Sequence, residues 1–281
     1  MDGNDRDRNS LERASEFNRK MIESAFDIVQ QYTVPIYGFQ DGTIRQDRTG
    51  VLLQIGTYRF MLTAAHKLQA IIENKIFLGV PRLEDGEPVR LEGCRALLSD
   101  EDLEDIAVFH LSAAVADEIA RRNNFLRVHQ FELNDPPEHP FYCVHGYPVA
   151  WKSFDVENQL HQYSPITFGT TPYDGDLETQ DRKKHETFLR LIYGPTIDFI
   201  HSGEQPAPKA FGLSGCGIWQ LCALRRNADL NWSIDEIKLA GIQHRQYVKS
   251  KKYVKGTRIN VALRMICKQF PELKNAISLS I

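Results

Sequence analysis

The chain reads as an all-β protein made of two strand sets, with a helix before the first set and another after the second. Three observations predict this. Short β-rich runs are punctuated by Gly, Asp, Asn or Pro, as antiparallel strands are. One linker signal, Asn134-Asp135-Pro136-Pro137, divides those runs into two groups. Apolar residues recur at three- and four-residue steps only near the two ends.

The elements follow in order. From Ser10 to Gln31, the residues Leu11, Ala14, Phe17, Met21, Ala25, Ile28 and Val29 lie on one helical face, and Ser10 suits an N-cap. This stripe is wide enough for packing against a core, and packing is favoured over partner binding. After Pro35 the texture changes. Val51–Gln54, Tyr58–Thr63, Lys75–Leu78, Val89–Ala96 and Ile106–His110 read as strands. Ser112 to Arg122, dominated by Ala and Glu, reads as a short helix. Beyond the linker come Phe141–His145, Gln162–Phe168, Thr187–Ile192, Gly217–Leu221 and Ile237–Ile242, and Arg258 to Phe270 closes the chain as a helix. The divisions are therefore 1–34, a helical extension; 35–134, a first β unit; and 135–281, a second with the terminal helix.

Bulk properties narrow the function. The 281 residues carry a formal net charge of -3, with 42% hydrophobic and 25% charged residues, so nucleic acid is not an expected partner. The most basic stretch, Lys249 to Arg258, reads as a solvated loop between two strands. No apolar run approaches the roughly 20 residues that span a bilayer, and membrane association is not expected. The polar start, Met1 to Arg8, is unlike a signal peptide. Cys94, Cys143, Cys216, Cys222 and Cys267 are odd in number and form no Cys-x-x-Cys pair. A reducing, cytoplasmic setting is expected. Neither cysteines nor histidines show zinc-ligand spacing, and P-loop and dinucleotide fingerprints are absent, so no metal or cofactor is expected.

Three segments carry the chemistry. Leu62-Thr63-Ala64-Ala65-His66 is an apolar run ending in an imidazole. Glu104-Asp105-Ile106-Ala107-Val108-Phe109 leads an acid into a buried-looking strand. Phe211-Gly212-Leu213-Ser214-Gly215-Cys216-Gly217 presents a hydroxyl among glycines. Imidazole, carboxylate and hydroxyl are the parts that make serine a nucleophile. Each segment has a plainer reading: a buried strand end, a strand-initiating surface carboxylate, a glycine-rich turn. Together, in this order, they resemble the trypsin/chymotrypsin-like serine peptidase family, across roughly Tyr37 to Ile266. An α/β-hydrolase esterase is excluded by order, because that fold places serine before the acid and the histidine.

The resemblance implies two six-stranded antiparallel β-barrels with the site in the cleft between them. It implies a serine endopeptidase acting on protein or peptide substrates, with His66 as general base, Asp105 as orienting acid and Ser214 as nucleophile. Asp102 and Glu104 stand nearby, but Asp105 directly precedes Ile-Ala-Val, as the family pattern requires. The backbone amides of Gly212 and Ser214 are the implied oxyanion donors. The pocket base falls at Pro208, which is uncharged, and its wall at Ala240 to His244. Gln243 is expected to face the pocket, with His244 one position late for the histidine of glutamate-specific relatives. A neutral or polar preference is the expectation.

Three departures from the pattern stand out. Lys67 replaces the cysteine that follows the histidine in secreted members. Leu213 replaces the aspartate on which trypsin-type zymogen activation depends. Cys216, two after the serine, fills a place commonly held by glycine, and it reads as a space-filler. The stretch Tyr173 to Pro208 lies outside the resemblance, either a bare exposed loop or a segment overhanging the cleft. A regulatory protein partner is a further expectation. The competing reading from another class is a catalytically silent peptidase-fold module that binds or scaffolds.

Overall fold

In the computed structural model, the described residues are 16, 19–40, 43–74, 76–81, 88–100, 103–134, 137–138, 140–148, 152–155, 160–163, 165–175, 187–194, 196–199, 203–206, 213–221, 234–247 and 252–277. They form two curled antiparallel sheets with helices at both ends. The first sheet holds seven strands where six are expected: β1 (Thr33–Gln40), β2 (Thr43–Ile55), β3 (Tyr58–Thr63), β4 (Phe77–Val80), β5 (Val89–Arg90), β6 (Arg95–Leu98) and β7 (Ala107–His110). Its order is β5-β4-β1-β2-β3-β7-β6. The run Val89–Ala96 becomes two strands because Gly93, at φ +70°, turns the chain between them.

The second sheet comprises β8 (Phe141–Gly146), β11 (Ile166–Thr170), β12 (Phe188–Ile192), β15 (Gly217–Leu221), β16 (Ile237–Tyr247) and β17 (Tyr253–Arg258), in the order β11-β8-β15-β16-β17-β12. Residues just after β11 close it on β12: Tyr173 N donates to Arg190 O at 2.9 Å, and Ile192 N to Thr171 O at 3.0 Å. Two hairpins stand apart, β9 (Lys152–Asp155) with β10 (Leu160–Tyr163), and β13 (Thr196–Phe199) with β14 (Gly203–Pro206). The stretch after Tyr173 thus contains a barrel strand, β12, besides a hairpin.

The basic stretch before Arg258 departs from its reading as a loop. Residues 253–258 form an interior strand, in which Lys255 is buried. Tyr253, Val254 and Thr257, which lie on both faces, are wholly buried, and paired strands flank β17 on both sides.

Three apolar clusters organise the packing. One fills the first sheet, through Ile36, Leu52, Met61 and Phe109. Another fills the second, through Val144, Phe168, Leu189, Ile218 and Val254. The third joins them. It draws Leu53, Phe60 and Val108 from the first sheet and Trp219, Leu239 and Ile242 from the second. It also takes in Met21, Ala25 and Val29 of α1 (helical residues 19–29) and Ile259, Ala262 and Ile266 of the terminal helix α4 (Ile259–Gln269). Fully burying such aliphatic side chains contributes about 1.5–3 kcal/mol each. The N-terminal helix is therefore part of the core, as its stripe requires. Between α1 and α4 lie α2 (Leu68–Glu73) and α3 (Ala113–Ala120).

The linker is fixed at its start. Glu132 N donates to Leu239 O at 2.9 Å, and the buried Glu132 carboxylate meets Arg258 Nη1 at 3.3 Å and the Tyr142 hydroxyl at 3.2 Å. Burial pushes the Glu132 carboxyl up to about 7 despite Arg258 and Tyr142.

Candidate active site

Strand register brings the first two groups together. β3 and β7 run antiparallel with Thr63 opposite Ala107, so the end of β3 and the approach to β7 share one edge of the sheet. His66 lies three residues beyond Thr63, and Asp105 two before Ala107. Both turns use the left-handed region: Lys67 has φ 65° and Asp105 φ 49°. Aspartate tolerates that region better than most residues. The Asp100 carbonyl gathers the amides of Leu103, Glu104 and Asp105 at 3.2, 2.9 and 3.0 Å, which tightens the turn.

The carboxylate of Asp105 is buried and accepts several donors. Oδ1 takes the amides of Ala65 and His66 at 3.0 and 2.8 Å, while His66 Nδ1 lies 3.1 and 3.0 Å from Oδ1 and Oδ2. Arg48, itself buried on β2, donates to the carbonyls of Ala64 and His66 at 2.7 and 3.2 Å. The segment carrying the imidazole is therefore fixed at its amides by Asp105 and at its carbonyls by Arg48.

Ser214 comes from the turn before β15. Thr49 of β2 donates its amide to Ser214 O at 3.0 Å and accepts the Thr63 hydroxyl at its own carbonyl at 2.7 Å. This seam explains Gly215. At φ +88°, a Cβ there would stand 2.0 Å from Thr49 O and 2.4 Å from Thr63 Oγ1. The turn sets Ser214 Oγ 3.0 Å from His66 Nε2. Imidazole, carboxylate and hydroxyl thus meet in one hydrogen-bonded chain across the seam. Such a chain can pass the serine proton to imidazole as the oxygen attacks a carbonyl.

The turn's next two amides are engaged. Gly215 N donates to Gln243 O at 2.8 Å, and Cys216 N to Leu213 O at 3.1 Å. Cys216 is wholly buried, its thiol pushed up to about 12 by burial, and its Sγ sits 3.7 Å from Thr49 Oγ1. It fills space in the second sheet's core and is no nucleophile.

Gln243 is buried beside the serine turn, its amide donating to Cys216 O at 2.8 Å. His244 is placed differently from a pocket wall. Its buried ring faces Asp105, with Nδ1 3.1 Å from Oδ2 but without the alignment of a hydrogen bond. The cause is a bulge in β16, where pairing with β17 shifts register between Gln243 and Arg245. Strand alternation alone does not reveal it. Burial pushes the His244 imidazole toward its neutral form, which Asp105 only partly offsets. For Asp105, burial raises the carboxyl, yet the imidazoles of His244 and His66 outweigh it and hold the group well below the usual carboxylate range. Asp102, Pro208 and Gly212 lie outside the described residues. Arg48, Thr49 and the His244 contact were not legible as site features, since each depends on long-range pairing.

Among the described residues, no cluster of ligating side chains could hold a metal ion, no helix is long and apolar enough to cross a membrane, and Cys94, Cys143, Cys216 and Cys267 are free thiols.

No protein-family model matches the chain, and no curated protein matches it. Solved structures do. The serine endoprotease from Yersinia pestis is 15% identical at TM-score 0.45; the match covers 88% of this chain and 65% of that one, so this chain spans about two thirds of its length. The MamO protease domain from Magnetospirillum magneticum is 13% identical at TM-score 0.45, with 84% of this chain and 96% of that chain covered. A scabies mite inactivated protease paralogue is 14% identical at TM-score 0.47, with 86% and 93% covered. At these identities and TM-scores the structures are similar only in outline to the two curled antiparallel sheets with terminal helices formed here.

Proposed function

We propose that this protein is a serine endopeptidase that hydrolyses peptide bonds through an acyl-enzyme on Ser214. The observation that carries the reading is the 3.0 Å contact between Ser214 Oγ and His66 Nε2, with the far side of the same ring held on Asp105. His66 takes the serine proton as Oγ attacks the scissile carbonyl, then returns it to the leaving amine. Asp105 keeps the remaining ring proton on Nδ1 and stabilises the imidazolium. The developing oxyanion is met by the Ser214 amide and, by resemblance, that of Gly212; one such donor is typically worth about 2.7–4 kcal/mol in the transition state. Water then releases the acyl group by the same proton relay in reverse.

Several features support the reading. The three groups are already within hydrogen-bond reach without rearrangement. Leu213, wholly buried in the second core, stands where an activation switch would need a carboxylate, which suits a constitutively formed site. A reducing, cytoplasmic setting belongs to the same proposal, as does a neutral or polar pocket base at Pro208. The test is hydrolysis of a denatured protein mixture, with new termini read by mass spectrometry. Wild type should cleave, and Ser214→Ala should lose activity on the order of a millionfold. Intact substrate with both proteins would favour the silent binding module.

A further inference from the structure

We propose that the cleft selects peptides bearing a carboxylate side chain close to the scissile bond, gripped by a row of cations that starts beside the catalytic Asp105. The proposal rests on the endopeptidase reading and adds the substrate class.

The row is a product of strand register. Arg245 of β16 pairs with Lys255 of β17, and Lys255 pairs in turn with Arg190 of β12. Residues directly opposite one another on paired strands project from the same face, so three basic side chains stand side by side across three strands. Like charges in that arrangement repel. Phe188, two residues before Arg190 and on the same face, offsets part of that repulsion. The Lys255 ammonium sits 3.8 Å from its ring centroid and the Arg190 guanidinium 5.9 Å. A row of basic side chains beside an aromatic ring results.

Position ties the row to the site. Arg245 directly follows His244, whose ring lies 6.0 Å from Phe188 and whose Nδ1 lies 3.1 Å from Asp105. Thr257, two residues past Lys255, hydrogen-bonds the Glu104 carbonyl, next to Asp105 in the chain. At the other flank, Gln243 accepts from the amide that follows Ser214. Beyond Gln243, β16 runs on to Tyr247 with β17 as its strand partner on one side, and no strand covers its other edge among the described residues. An extended peptide laid along that edge from Ser214 passes Arg245 first. Arg245 is exposed and makes no ion pair among the described residues. Its planar fork suits a carboxylate at the mouth, with the Lys255 charge behind it.

The test uses fluorogenic peptides that differ only in Glu against Gln at the second, third or fourth residue before the bond cut, since the residue at the bond meets the uncharged pocket base. Wild type should favour Glu at one of these positions by about 10–100-fold in kcat/KM, the value of a hydrogen bond to a charged group. Arg245→Gln, at an exposed position that does not threaten folding, should pull that ratio toward one, and Lys255→Met should do the same. Equal cleavage of Glu and Gln peptides by wild type overturns the proposal, as does a ratio that survives both substitutions. Affinity for the same peptides, measured on Ser214→Ala, gives the comparison without turnover. Tighter binding of the Glu peptide supports the proposal even if wild type hydrolyses nothing, and equal affinity refutes it. Failure of the endopeptidase reading shows separately, as absent fluorophosphonate labelling of wild type.

Discussion

Replacing Asp105 by asparagine alters one atom of the site and separates its two duties. Oδ1 accepts the Ala65 and His66 amides at 3.0 and 2.8 Å, and an asparagine oxygen can keep both. The new NH2 group then occupies the place of Oδ2, which lies 3.0 Å from His66 Nδ1. Two donors cannot share that contact, so His66 must move its proton from Nδ1 to Nε2. Nε2 faces Ser214 Oγ at 3.0 Å and, once protonated, can no longer take the serine proton. A wrong tautomer of this kind costs about ten-thousandfold in a serine peptidase, or about 5.4 kcal/mol. Loss of the charge-assisted bonds should also destabilise the fold by about 1–3 kcal/mol at neutral pH. Because the folded carboxyl titrates well below its usual range, its stabilisation is complete above about pH 4 and fades as pH falls below that. The second-order rate of fluorophosphonate labelling, with circular dichroism to confirm the fold, reads both effects. An asparagine variant that labels within tenfold of wild type would refute the assigned role.

Three further outcomes are expected. Gly215→Ala drives a methyl group onto the Thr49 carbonyl at a left-handed position and should cost more than about 3 kcal/mol; an unchanged melting temperature would contradict the seam. Arg48→Met leaves the buried Ala64 carbonyl and the half-buried His66 carbonyl without this donor and should cost about 2–3 kcal/mol, with labelling slowed because the His66 segment loosens. Glu132 titrates near 7 when folded, so the native state holds its proton more tightly than the unfolded chain. Stability should fall by up to about 3 kcal/mol as pH rises from about 4.5 to 7, and Glu132→Gln should flatten that slope in urea titrations at pH 5 and 8.

The elements legible in the sequence are those whose local pattern agrees with their long-range environment. Tyr58–Thr63 and Gly217–Leu221 form strands over the residues expected, because each is a short apolar run that ends in a turn. The terminal helix matches to within a residue at each end for a similar reason. β1 went unrecognised because Pro35 and Gly38 interrupt it, although pairing with both β2 and β4 holds it. β17 is not legible as a strand because its flanking lysines signal solvent, whereas the strands on either side bury it. His66, Asp105 and Ser214 could be read as parts, since each sits in a compact motif. Their meeting depends on the Thr63–Ala107 register and on Thr49, which no local pattern encodes. His244 turns toward Asp105 through a single bulge, and alternation places it elsewhere.

The most direct test of the central claim is to treat the folded protein with a fluorophosphonate and locate the adduct by peptide mass spectrometry. One phosphonylated residue is predicted, Ser214, with the adduct lost in His66→Ala. A folded protein that takes no label, or takes it on another side chain, would contradict the account.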